Sequence, residues 1–103
     1  PPTPEFRAHV QLNKLSRRLQ SYGLTIEVYQ AILEQQEHKC PICRRSYSYD
    51  GTDKSRRPVI DHCHDQNTFR GVICHKCNMG LGLFSDNAAT IKRALEYFED
   101  KQW

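Results

Sequence analysis

Two Cys-x-x-Cys pairs, Cys40-Pro41-Ile42-Cys43 and Cys74-His75-Lys76-Cys77, constrain this chain more than any other feature. Each pair lets one tight turn offer two thiolates to a single ion, and two such turns close a tetrahedral shell with Zn–S distances of about 2.3 Å. The 30 residues between Cys43 and Cys74 exceed the usual spacing of a zinc ribbon, so an element of structure must lie between the two turns. No basic-then-apolar leader opens the chain, so nothing signals secretion. Metal ligation is therefore the stronger reading of Cys40, Cys43, Cys74 and Cys77, with a disulfide pair or an iron–sulfur site as the weaker one. A closed four-cysteine shell leaves no open position for a substrate, so this Zn2+ is expected to be structural. In a chain of 103 residues it is expected to supply much of the folding free energy.

The remaining pattern predicts an α+β chain organised as one domain over residues 1–103. A helical lead-in spans 1–38, a zinc-bound ββα core 39–84 and a C-terminal helix 85–103. Thr3-Pro4-Glu5 is a helix start, with a capping hydroxyl, proline at the first helical position and an acid in the first turn. Phe6, Val10, Leu15, Leu19 and Tyr22 then form a loose apolar stripe that Gly23 ends. Thr25 caps a second helix, carrying Ile26, Tyr29, Ile32 and Leu33 and running close to His38. Residues 44–57 are polar and rich in turn formers. Pro58-Val59-Ile60-Asp61-His62 and Phe69-Arg70-Gly71-Val72-Ile73 are two strands joined by the turn Asp65-Gln66-Asn67-Thr68. A short helix opens at the second cysteine pair and is expected to break near Gly80 and Gly82. The final helix starts at Ser85 or Asp86 and turns Ile91, Ala94, Leu95 and Phe98 inward.

Charge narrows the partners. No apolar run approaches the roughly 20 residues that span a bilayer, which excludes a membrane-spanning helix. The net charge of +3 is a weak guide, because four thiolates and one divalent ion lower it to +1. The local distribution is a better one. Residues 39–76 hold eight basic side chains against four acidic ones. Arg44, Arg45, Arg56, Arg57, Arg70 and Lys76 are the candidates in that cluster to contact a polyanion such as DNA, although a solvated charged loop gives the same composition.

Asp61-His62-Cys63-His64 ends the first strand, and Asn78 follows the last cysteine. Hydrolysis of a phosphodiester needs such a set. The Asp61 carboxylate and the Asn78 amide oxygen are hard donors suited to Mg2+ or Mn2+. His62 is a candidate general base for the attacking water, since an unperturbed imidazole has a pKa of about 6.5. His64 can touch the phosphate, support His62 or only pack. Neighbours on a regular strand face opposite ways. Asp61 and His62 can therefore serve one phosphate only by flanking it, or where the backbone is irregular. The Asp61 carboxylate and the Asn78 oxygen are expected to converge on one point near the His62 ring. The two histidines with Cys63 could instead hold a second zinc, although Cys63 reads more simply as a half-buried small residue.

The order of these motifs resembles the recombination endonuclease VII family, within the HNH or His-Me finger (ββα-metal) nucleases. The resemblance rests on Lys39-Cys40-Pro41-Ile42-Cys43, on Val59-Ile60-Asp61-His62-Cys63-His64 and on Arg70-Gly71-Val72-Ile73-Cys74-His75-Lys76-Cys77-Asn78. Gly80-Leu81-Gly82-Leu83-Phe84 and the later Ala94-Leu95-Glu96-Tyr97-Phe98 extend it. It implies a treble-clef-like, zinc-stapled hairpin and helix. In that likeness Asp61 and Asn78 hold a catalytic Mg2+, His62 activates water and His64 assists at the phosphate. The implied activity is metal-dependent nicking or duplex cleavage of DNA in a bacterial or phage-infected cell, leaving 5′-phosphate products. Two positions depart from the family pattern: Cys63 stands where aspartate is common, and Leu81 where the founding enzyme has a glutamate. The alternative is a non-catalytic treble-clef module binding nucleic acid or protein, which would have no need of Asp61, His62 and Asn78.

Overall fold

The computed structural model describes residues 3–100. In chain order they form α1 (Pro4–Val10), α2 (Asn13–Gln20), α3 (Ile26–Gln35), a 3-10 turn (Lys54–Arg56), β1 (Pro58–Cys63), β2 (Thr68–Cys74), α4 (His75–Leu83) and α5 (Ala88–Glu99). The α+β class is as expected, with β1 and β2 forming one antiparallel hairpin.

The lead-in contains three helices instead of two. Thr3 caps α1 as its sequence predicts, its hydroxyl accepting from the Phe6 N–H at 3.1 Å. The chain then breaks at Gln11 and Leu12, where Leu12 returns to extended backbone (φ −71°, ψ 126°). The reason is helical phase. Val10 and Leu15 are five residues apart, and at 3.6 residues per turn this leaves them about 140° out of register. One continuous helix would aim Phe6–Val10 and Leu15–Leu19 in different directions. The break lets Phe6, Val10 and Leu19 all enter the core. Thr25 caps α3 as expected, accepting from the Val28 N–H at 3.2 Å. Tyr29 and Leu33 are the buried residues of α3. This helix stops at Gln35, short of His38, because Glu37 and His38 both take left-handed φ angles (57° and 59°).

That reversal leads into the first cysteine turn. The Cys40 N–H donates to the Arg45 carbonyl at 2.9 Å and the Arg44 N–H to the Cys40 carbonyl at 2.8 Å. Arg44 closes the turn at φ 65°, a region that disfavours any residue with a Cβ. The hairpin connection is His64 to Asn67, closed by an Asn67 N–H bond to the Cys63 carbonyl at 2.7 Å, with Asn67 at φ 52°. The ladder pairs Pro58 with Cys74, Ile60 with Val72, Asp61 with Gly71 and His62 with Phe69. The register therefore slips between Asp61 and His62, and Arg70 is the extra residue on β2.

Three expectations for the C-terminal part are corrected. The final helix starts at Ala88 with Asn87 as its cap, not at Ser85 or Asp86, because those two residues take left-handed φ angles. The helix opened by the second cysteine pair does not break at Gly80 or Gly82 but runs to Leu83. Each glycine costs about 1 kcal/mol relative to alanine in a helix interior. Cys74 caps the N-terminus, its sulfur accepting from the Cys77 N–H at 3.4 Å, and α4 packs on both strands and the 3-10 turn. On α5, Ile91 and Ala94 are half-buried, but Leu95 (56% exposed) and Phe98 (68%) face outward. The apolar spacing correctly identifies a helix. It does not reveal that the two-stranded core is too small to cover the helix along its length.

The core joins these parts. Phe6, Val10, Leu19, Tyr29 and Leu33 pack with Tyr47, Ile60, Val72 and Ile73, and with Cys40 and Cys74 of the cysteine turns. Burying each large apolar side chain contributes about 1.5–3 kcal/mol.

Candidate active site and metal centre

The two cysteine turns meet. The sulfurs of Cys40, Cys43, Cys74 and Cys77 all lie within 4.8 Å of one another. Tetrahedral ligation at about 2.3 Å requires sulfur–sulfur separations of roughly 3.8 Å. Cys43 and Cys74 are 3.7 Å apart, which matches that shell and is far beyond the roughly 2.05 Å of a disulfide bond. The thiols hold their protons unevenly: burial disfavours a Cys40 thiolate, but backbone donors from Cys43, Cys74 and Ile42 outweigh it and bring the thiol down to about 7, while burial pushes Cys74 and Cys77 up. This donor set fits a borderline-soft divalent ion. Among the described residues it is the one group of three or more His, Cys, Asp or Glu side chains placed to hold a metal. Half-buried Cys63 stands outside it and does not join His62 and His64 in a second such cluster.

The second centre is built on the slipped register. Asp61 is buried to 6% exposure beside Ile60, so the inward–outward alternation of β1 fails at this residue. Its partner Gly71 presents no side chain, and Arg70 reaches back over it. Arg70 Nε donates to Asp61 Oδ2 at 2.6 Å and Nη2 to Oδ1 at 3.0 Å. The other edge of the guanidinium meets Asp86, from the loop between α4 and α5, at 2.8 Å (Nη2–Oδ1) and 3.3 Å (Nη1–Oδ2). Arg70 is held further above its ordinary value by its hydrogen bonds to Asp61 and then Asp86. The Asp86 carboxyl lies below its usual range, mainly through the Arg70 hydrogen bond, with smaller contributions from His64 and His62.

His62 and His64, which follow Asp61 in the chain, set their rings 4.6 Å apart between centroids. His64 lies just beyond the end of β1, in the turn. Tyr22, which follows α2, sets its ring 5.8 Å from that of His62 at 31°. Asn78 is half-buried on α4, one residue after Cys77.

The basic cluster divides into different settings. Arg45, Arg56 and Lys76 border a groove of about 330 Å³ floored by Ile42, Leu81, Phe84 and Ile91. Arg56 pairs with Asp53 at 2.9 Å. Arg57 donates to the Lys54 carbonyl at 2.9 Å, and Arg44 is exposed on the first cysteine turn. Arg70 differs from the rest, since both edges of its guanidinium are engaged by carboxylates. Sequence reasoning did not place Tyr22 and Asp86 beside the candidate residues, where the structure sets Tyr22 near His62 and Asp86 on Arg70. Neither carries a local signal: Tyr22 reads as part of an apolar stripe and Asp86 as a helix start.

The relationships to known proteins agree with this geometry. The family model described as recombination endonuclease VII matches residues 15–100. The chain is 37% identical over 83 residues to the Gene 59 protein of Mycobacterium phage D29, covering 80% of this chain and 47% of that protein. It is 37% identical over 95 residues to the Gene 59 protein of Mycobacterium phage L5, covering 90% and 55% respectively. The chain thus spans about half the length of the curated relatives it matches. Among solved structures, the ββα-Me type II restriction endonuclease Hpy99I aligns with a TM-score of 0.53 and 28% identity. That alignment covers 77% of this chain and 50% of the other.

Proposed function

The chain belongs to the recombination endonuclease VII family, and from that premise we propose that it is a metal-dependent endonuclease hydrolysing DNA phosphodiester bonds. The observation that carries this reading is the register slip between Asp61 and His62. It relieves the strict opposition of neighbouring strand residues, and bulges of this kind recur beside active sites. Arg70 joins Asp61 to one loop residue, Asp86, whose carboxyl is lowered mainly by that Arg70 hydrogen bond and to a smaller extent by the charges of His64 and His62.

Asp61 and Asn78 would hold Mg2+ or Mn2+, since both offer hard oxygen donors and each Asp61 oxygen keeps a lone pair beyond its bond to Arg70. When bound, the ion supplies charge stabilisation at the phosphorus and the leaving oxygen. His62 takes the proton of the attacking water, its ring neighboured by those of Tyr22 and His64. His64 contacts the phosphate. The cysteine cluster, as a structural Zn2+ site, ties the end of the hairpin to the start of α4 and so carries Asn78. Arg44, Arg45, Arg56, Arg57 and Lys76 contact the DNA backbone. Products carry 5′-phosphates, one or both strands are cut, and the setting is the cytoplasm of a bacterial or phage-infected cell. No helix among the described residues is long and apolar enough to cross a membrane.

The test is supercoiled-plasmid cleavage with Mg2+, with EDTA, and by a His62→Ala protein that retains its zinc. Cutting that requires the added metal and is lost in folded His62→Ala supports the reading. Equal cutting by both proteins removes His62 as the base. DNA binding by the wild type without any cleavage favours a binding module.

A further inference from the structure

Asp86 is set more firmly than a linker residue needs to be. Ser85 and Asp86 both hold left-handed φ angles (60° and 50°), which residues with a Cβ rarely adopt. The Asp86 N–H donates to the Leu81 carbonyl at 2.8 Å, and the next residue, Asn87, caps α5 by accepting from the Thr90 N–H at 3.0 Å. The backbone is thus fixed on both sides, and the side chain is aimed at Arg70. One guanidinium joins two carboxylates: Nε and Nη2 face Asp61, while Nη2 and Nη1 face Asp86.

This arrangement has an electrostatic consequence. Asp61 and Arg70 alone form a neutral pair, which has no net attraction for a cation. Asp86 returns one negative charge to the group. Its hold on the outer edge of Arg70 also fixes the plane in which both Asp61 oxygens accept, and each oxygen keeps a second lone pair.

We propose that Asp86 is a positioning residue that, through Arg70, orients the Asp61 carboxylate and restores the negative charge Asp61 needs to take a divalent cation. This rests on the reading of Asp61 given above as a metal ligand.

The experiment measures Mn2+ affinity, by titration calorimetry and by the loss of the free-ion electron paramagnetic resonance signal, on the zinc-loaded full chain at pH 8. Wild type is compared with Asp86→Asn, Asp86→Glu and Asp61→Asn, each checked for zinc content and melting temperature. Removing one unit charge near the ion is expected to weaken Mn2+ about tenfold in Asp86→Asn, and the gap should narrow as salt is raised. Asp86→Glu, which keeps the charge, should stay closer to wild type. In plasmid cleavage, Asp86→Asn should need correspondingly more Mg2+ for its half-maximal rate.

A purely structural Asp86 would lower the melting temperature of Asp86→Asn without moving the Mn2+ affinity, and that result overturns the proposal. An Asp86→Glu protein as weak as Asp86→Asn also overturns it. A wild type that takes no Mn2+, or an Asp61→Asn protein that binds it equally well, overturns the metal reading of Asp61 and this proposal together. Unchanged affinity in Asp86→Asn alone leaves the reading of Asp61 standing.

Discussion

Replacing Tyr47 by phenylalanine probes the latch that ties the lead-in to the hairpin. Tyr47 is 7% exposed, and its hydroxyl donates to Gln36 Oε1 at 2.7 Å, with the Val72 carbonyl at 3.2 Å. Gln36 Nε2 donates to the same carbonyl at 2.9 Å. The end of α3, the chain after the first cysteine turn and β2 therefore meet at three polar groups. Burial, then neighbouring ionisable groups, hold the phenol well above its ordinary value, so it stays a donor at any working pH. Tyr47→Phe removes one hydrogen bond, about 1 kcal/mol, and leaves the half-buried Gln36 oxygen without its donor, about 1 kcal/mol more. At 4–8 °C per kcal/mol for a chain of this size, the melting temperature should fall by about 8–16 °C. Thermal and urea melts of the zinc-loaded protein, followed by circular dichroism, measure this. The urea m-value should not change, because the surface exposed on unfolding is the same. Gln36→Met should cost a similar amount, and the double variant should cost less than the sum by about 1 kcal/mol. A loss below about 0.5 kcal/mol, or strict additivity, would refute the latch.

Chelating the cysteine-bound ion, or replacing Cys77 by serine, should abolish cooperative unfolding. A structural zinc site contributes on the order of 10–16 kcal/mol, more than a core of this size supplies, and near-ultraviolet circular dichroism reports the loss. His9 is lowered from 6.5 by burial, so the folded state resists a proton that the unfolded chain accepts. Stability is then complete above about pH 6.5 and declines as pH falls towards the folded-state value, and His9→Gln should flatten melting temperature against pH over that window. Leu95→Lys and Phe98→Lys should each change stability by no more than about 0.5 kcal/mol, because both side chains are exposed, and a loss above 2 kcal/mol in urea melts would return them to the core.

Much of the fold is legible in local spacing. Cysteines two residues apart make a turn with two thiolates wherever they sit, and a hydroxyl before Pro4 or Ile26 caps a helix through atoms three residues away. The hairpin follows from two β-rich runs around a polar turn, and its position between the cysteine pairs accounts for their wide separation. The candidate chemistry was legible for the same reason: Asp61, His62 and His64 are sequence neighbours, and Asn78 adjoins a cysteine. The break at Leu12 was also present in the sequence, as the five-residue step from Val10 to Leu15.

Other features depended on partners far along the chain. Nothing near Asp86 indicates that Arg70, sixteen residues earlier, reaches it, or that Tyr22 lies over His62. Those contacts require the register slip at Asp61, the left-handed pair Ser85–Asp86 and the turn after α2, each stabilised by packing that no short window contains. The outward faces of Leu95 and Phe98 belong to the same class. Periodicity determines which side of a helix is apolar, but only the volume of the assembled core decides how much of that side it can cover. The sequence alone determined the kinds of groups present and their local turns. Tertiary structure decided which charges face one another, because Coulomb forces and packing act through space and take no account of chain distance.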